Sequence, residues 1–326
     1  MSLTSRAVLG IATTAALLLT QAACTGSPGS SSPAATGSTS ITVGNGPFLS
    51  NADLYLSERK GYFGEVRLKT AVTVLTAGSN AVPQLLNNGL QFAAVDVATA
   101  IAAVAQHLPI EVVAPNTVGS PGERGFAGVL VSPKSGVTSP AGLAGKTVAV
   151  NQLNGTAMIL TRAALANAGA DWKRVKFTEV DPPSLLPTLV AGRVDGAALG
   201  EPGVTAAQSQ GMTYLFNPER DTIPGIAAFV YITSAAYARA HRDVVTSFQR
   251  ALLKGHVYAN AHPDEVRTTA KTSTQVPAPL LAKAVLPVFG EKAVQPREIA
   301  TWIALLEQYG GFDPAKAPTP AAVLGR

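Results

Sequence analysis

The sequence predicts an α/β chain folded as two lobes about a hinge, with a cleft between them. Three observations predict this. Short apolar strands alternate with helical stretches from residue 41 onward. The alternation pauses and restarts near residue 128. Beyond residue 227 long helical patterns take over. A strand-rich middle flanked by two parts suits one lobe assembled from both flanks and a second lobe inserted between them. The expected parts are 41–127 and 227–326 for the first lobe and 128–226 for the second.

In the first part, strands are expected at 41–43, 72–75, 92–95 and 110–114. Helices are expected at 52–60, from residue 80 to Asn87, and at 98–106; Gly61 and Gly89 mark stops. The middle part gives strands at 129–131, 147–150, 175–178 and 196–199, with helices at 157–168 and 184–190. The last part opens on a strand at 229–232 and continues with helices at 242–260, 263–272 and 297–309.

The chain has 326 residues, 47% hydrophobic and 14% charged, with a formal net charge of +5. That suits a folded core and excludes a disordered chain. Lysine and arginine form no run or stripe, so a nucleic-acid binder is not expected. Arg6, the apolar run after it, and the small residues Ala22 and Ala23 before Cys24 describe a secretory signal over 1–24. The run is short for a spanning helix. Residues 25–40 contain only Gly, Ser, Thr, Pro and Ala, which suits a flexible tether.

The end of the signal resembles a bacterial lipobox, with Gln21 where leucine is usual. That resemblance implies lipidation of Cys24, the single cysteine, and anchoring on the extracytoplasmic face of the cell membrane. In the body, LSERKGYF at 56–63, NGLQFA at 88–93, SPAGLAGKTVAV at 139–150, GRVDGA at 192–197 and Glu201-Pro202 occur in one order. That order resembles the type II periplasmic binding proteins, in the branch serving nitrate, sulfonate, taurine and thiamine-precursor transporters. The resemblance implies the type II periplasmic-binding-protein fold and a solute held in an interlobe cleft. It further implies a monomer serving a separate membrane permease and ATPase, with no cofactor and no catalysis.

In open α/β sheets ligands collect beyond the carboxyl ends of strands, so the strand-to-helix turns are the candidate site. Asn45 and Gly46 lie in the first turn. Ser79 and Asn80 precede a helix, as do Asn154, Gly155 and Thr156; such starts present amides and a dipole that favour an anion. Plain capping is the alternative for each. Asp96 caps its helix or receives a cationic group, and Thr99 donates to the solute. Glu201, before Pro202 as first helical residue, is a counter-charge or a partner for the helix dipole. Phe48, Tyr55 and Phe126 are pocket walls or core. A small anionic or polar organic solute is expected. A sensor, a heterocycle binder, or a lyase or dehydratase on the same fold stand as alternatives.

Other motifs fail. Gly145-Lys146-Thr147 precedes a strand and lacks the earlier glycine of a phosphate-binding loop. Ser57 to Lys60 has S-x-x-K spacing without its companion phrases. His107, His241, His256 and His262 form no metal-binding pair, so no metal site is expected.

Overall fold

The computed structural model describes residues 37–46, 48–75, 80–274 and 276–326. The expected signal with Cys24, most of the tether, and Ser79 lie outside them. Among the described residues there are twelve strands: β1 (Thr39–Asn45), β2 (Leu68–Val74), β3 (Phe92–Asp96), β4 (Ile110–Pro115), β5 (Thr117–Val118), β6 (Ala127–Val131), β7 (Thr147–Val150), β8 (Lys176–Glu179), β9 (Gly196–Gly200), β10 (Thr213–Phe216), β11 (Phe229–Ser234) and β12 (Val288–Phe289). They form a five-stranded sheet in the order β2-β1-β3-β11-β4, a second in the order β10-β6-β9-β7-β8, and the pair β12-β5.

Each large sheet is parallel except for one antiparallel strand beside β3 or β9, namely β11 in the first and β6 in the second, and edge strand β10 pairs antiparallel with β6. The chain therefore leaves the first sheet after β4, builds the second, and returns to insert β11 between β3 and β4. β1 begins at Thr39, inside the expected tether, because its first residues pair with Leu68 and Lys69 of β2.

Strand alternation sends side chains to two faces of each sheet. In the second sheet Val129, Val131, Val148 and Val150 enter one cluster, while Leu130, Ala149 and Ala197 enter the other. In the first sheet Ile41, Val43, Phe92 and Tyr231 pack on helix Arg242–Ala261. There the Phe92 and Phe248 rings stack with centroids 4.0 Å apart. The opposite face packs on helices Val97–Ala105 and Pro296–Tyr309.

Helix Pro296–Tyr309 also reaches the second lobe. Its Trp302, Ile303, Leu306 and Tyr309 share a buried cluster with Ile159, Leu160 and Ala163 of helix Thr156–Asn167. Arg162 Nη1 donates to the Tyr309 carbonyl at 2.6 Å. An apolar bridge thus joins the lobes beside the two chain crossings.

One polar cluster is fully buried in the first lobe. His256 Nδ1 lies 2.7 Å from the Gly290 carbonyl, which only accepts, so that nitrogen carries hydrogen. Its Nε2 lies 2.8 Å from Asp53 Oδ2. The Tyr231 hydroxyl also donates to the Asp53 carboxylate at 3.1 Å. Burial, then the Asp53 charge, pushes the Tyr231 hydroxyl well above its ordinary pKa. The cluster ties helix Ala52–Arg59, helix Arg242–Ala261 and β11 together. Removing one member strands the others without water. His256→Ala or Asp53→Ala is expected to lower unfolding free energy by about 3–5 kcal/mol. Tyr231→Phe is expected to lower it by about 1 kcal/mol. Urea titration of the three variants measures both effects.

Candidate functional site: the facing strand exits

The carboxyl ends of β1, β3 and β4 lie at one edge of the first sheet, since β11 runs antiparallel to both β3 and β4. Those of β7, β8, β9 and β10 lie at one edge of the second. The two edges meet at one side-chain contact. Asp96 ends β3 and caps helix Val97–Ala105 through the Thr99 amide at 3.0 Å. The Thr99 hydroxyl donates to its other oxygen at 2.6 Å. From the opposite lobe the Thr156 hydroxyl donates to Asp96 Oδ1 at 2.8 Å. Three expected residues, Asp96, Thr99 and Thr156, are therefore brought together.

Thr156 opens a twelve-residue helix whose cap position is Gly155, with no side-chain cap. Asn154 before it is left-handed at φ 58°, a conformation asparagine tolerates better than most residues. A cavity of about 220 Å³ adjoins this start, lined by Thr99, Gln152, Asn154, Gly155, Leu306 and Phe312 among others. Gln152 and Phe312 were not foreseen. Gln152 lies in a turn that the pattern marks, whereas Phe312 arrives only through the path of helix Pro296–Tyr309.

The first turn is held by asparagines. Asn45 Nδ2 donates to the Asn51 carbonyl at 3.4 Å, and Asn51 Nδ2 donates to the Gly46 carbonyl at 3.2 Å. A Cβ on Gly46 would lie 2.3 Å from the Phe48 ring, so the ring rests directly against the Gly46 backbone. Phe48, Val74 and Leu153 are exposed large apolar residues, and each sits at a strand exit or in the turn after one. Asn80 occupies the cap position of helix Ala81–Leu86 without a side-chain cap bond. Phe126 is buried core and Tyr55 is half-buried.

Glu201 takes the role of a tie. Its carboxylate is buried and accepts from the Thr205 amide and hydroxyl, from Val285 N at 3.0 Å, and from Arg124 at 3.4 Å. The helix it serves is Gly203–Ser209; Pro202 stands one residue before it rather than as its first residue. Four donors from the protein satisfy the carboxylate in this conformation. Arg124 carried no sequence signal, because it lies in an irregular crossing.

The two crossings pack against each other between the sheets. Gly119 faces the Ile223 carbonyl so closely that a Cβ would lie 2.1 Å from it. Ser120 N donates to Glu219 Oε2 at 3.0 Å, and Asn217 Nδ2 donates to the Ser120 and Gly122 carbonyls. Glu219 is 5% exposed, and burial pushes its carboxyl up to about 7, against a smaller lowering by the Ser120 amide.

A family comparison bears on this geometry. Residues 50–266 match the model of the family described as NMT1/THI5 like. The chain belongs to that family. It is 28% identical over 225 residues, 68% of this chain, to the formylaminopyrimidine-binding protein of Halalkalibacterium halodurans. It is 25% identical over 188 residues, 58% of this chain, to the taurine-binding periplasmic protein of Escherichia coli. The matches span 66% and 57% of those two proteins, less than two thirds of either. Among solved structures it resembles the alkanesulfonate-binding protein SsuA of Xanthomonas axonopodis pv. citri, at TM-score 0.72 and 18% identity over 88% of this chain and 99% of that one. The nitrate-binding protein NrtA of Synechocystis PCC 6803 gives 0.71 and 15% over 88% and 85%. This NMT1/THI5-like chain thus has the type II periplasmic-binding-protein fold. No helix among the described residues is long and apolar enough to cross a membrane.

The Glu219 carboxyl yields a pH dependence. Its folded pKa lies above the ordinary glutamate value of 4.5. The folded form therefore holds the proton longer, and stability is full below about pH 4.5 and falls as pH rises through about 7. Glu219→Gln is expected to flatten this loss between pH 5 and 8, on the order of 3 kcal/mol. Thermal unfolding across that range measures it.

Proposed function

We propose that this chain is the solute-capturing subunit of an ABC-type importer. It would hold a small polar organic solute between the strand exits of its two sheets. The supporting observation is the Asp96–Thr156 hydrogen bond, which places polar groups of both lobes within reach of one small molecule. The names of the relatives, for a formylaminopyrimidine, taurine, an alkanesulfonate and nitrate, point the same way.

Capture works by closure. Contacts from both lobes exist together only when the lobes approach, so a solute that uses both favours the closed form. A permease with its ATPase would read that form. Lipidation at Cys24 followed by the polar tether would hold the body near the membrane face. In this reading the solute leaves unchanged, and no side chain performs chemistry on it.

Thr156→Val removes the hydroxyl that spans the lobes while keeping size. It is expected to weaken solute binding about ten-fold, the equivalent of one good hydrogen bond, with little change in unfolding temperature. Mass spectrometry of solute retained by gently purified protein supplies the ligand, and titration calorimetry compares the two proteins. Unchanged affinity removes Thr156 from the site. Turnover of the retained solute on incubation would replace capture by catalysis.

A further inference from the structure

We infer that the two lobes turn about the contact between helices Thr156–Asn167 and Pro296–Tyr309, and that Glu201 latches them on the other side by holding the Val285 amide. This rests on capture by closure, as proposed above, and names the parts that stay and the part that yields.

The second crossing is clamped from both lobes. Helix Pro296–Tyr309 takes both polar groups of Ala227. The Ala227 amide donates to Glu298 Oε2 at 3.0 Å, and Trp302 Nε1 donates to the Ala227 carbonyl at 2.7 Å. From the second lobe Asn167, the last residue of its helix, donates through Nδ2 to the Asp221 carbonyl at 2.6 Å. The two helices also meet directly. Ile159, Leu160 and Ala163 share a buried cluster with Ile303, Leu306 and Tyr309. The Arg162 guanidinium lies 5.3 Å from the Trp172 ring and 5.1 Å from the Phe177 ring while it donates to the Tyr309 carbonyl. The Trp172 and Tyr309 rings meet edge to face at 5.5 Å. Parting this contact would return several large apolar side chains to water, which opposes it.

The first crossing is held differently. Leu281 and Ala284 pack with Ala259, Val266 and Ala270, so the chain before Val285 belongs to the first lobe. Arg267 Nη2 donates to the Ala284 carbonyl at 3.0 Å. The amide of the same peptide group, Val285 N, donates to Glu201 Oε1 at 3.0 Å. Glu201 belongs to the second lobe: it ends β9 and accepts from Thr205. Its own amide donates to the Phe126 carbonyl at 2.9 Å, at the end of the first crossing. One peptide group is thus gripped by a cation of its own lobe and a carboxylate of the other. The Arg124 side chain flanking the bond is 41% exposed, so solvent reaches this edge. A hydrogen bond whose two groups water can serve costs little net to part, whereas the apolar joint has no such substitute. The latch therefore yields while the joint stays.

Electron paramagnetic resonance distances between spin-labelled cysteines test this in the full chain carrying Cys24→Ser. Lys271→Cys with Gln210→Cys spans the latch side, and Ala168→Cys with Gln308→Cys spans the joint; all four positions are exposed. Val285→Pro removes the amide donor, and the extended backbone of Ala284 accepts a following proline. Glu201→Gln weakens the same bond from the other side, and reads it alone should Val285→Pro fail to unfold cooperatively. Each is expected to lengthen the first distance by more than about 2 Å, the scale of hinge rearrangements, and to leave the second within that range. Thr205→Val removes a donor inside the second lobe and is expected to move neither. Both distances lengthening together overturns the joint. A first distance that spreads over two populations in the parent chain, and responds to neither latch variant, overturns the latch and leaves closure standing. A single narrow first distance in the parent and in every variant overturns the latch and counts against closure as well.

Discussion

A carboxylate at the start of a helix stabilises it by meeting amides that would otherwise face water, and Asp96 does so while touching the start of another. It caps the helix that follows β3, and it accepts from the first residue of the helix that follows β7. These helices belong to different sheets. One negative group therefore sets how closely the two strand edges approach. The geometry of the cleft follows from this contact together with the apolar bridge made by helix Pro296–Tyr309. The bridge holds the lobes together on one side, and the polar contact joins them at the strand exits.

Charge is distributed so that each carboxylate near the cleft meets a different fate. Glu201 is saturated by four donors and works as a structural tie. Glu219 is buried among the crossings with a raised pKa, so its proton is exchanged near neutrality. Asp96 accepts from Thr99 in its own lobe and from Thr156 of the opposite helix start. Residue type did not distinguish the three; the number of donors around each did.

Much of this was legible beforehand for a physical reason. Strands such as β3, β4, β6 and β7 are buried on both faces, so they read as continuous apolar runs. The helix after β7 stops just before left-handed Gly169, whereas the helix after β3 ends at Gln106 without a glycine. The less legible elements lack that signal. β10 reads TYLF and carries an exposed threonine at the edge of its sheet. β5 and β12 have two residues each and exist because they pair with each other. Helices Gly203–Ser209 and Ala278–Lys283 are too short for a periodic pattern. In the site, Asp96, Thr99 and Thr156 were readable as strand-exit residues, but their mutual bonding required the lobes to meet. Asn51 and Asn116 gave no signal, because Asn116 Nδ2 donates to Asn51 Oδ1 only once the fold brings distant segments together.

The placement of β11 has a consequence for the order in which the protein comes into being. It lies between β3 and β4 but follows every strand of the second sheet in the chain. A ribosome therefore delivers a complete second lobe while the first still lacks the strand between β3 and β4 and the aromatic rings of Phe248 and Trp302. The lobe whose strands emerge first is the lobe that must wait, and the facing edges of β3 and β4 stay unpaired until β11 follows the second sheet.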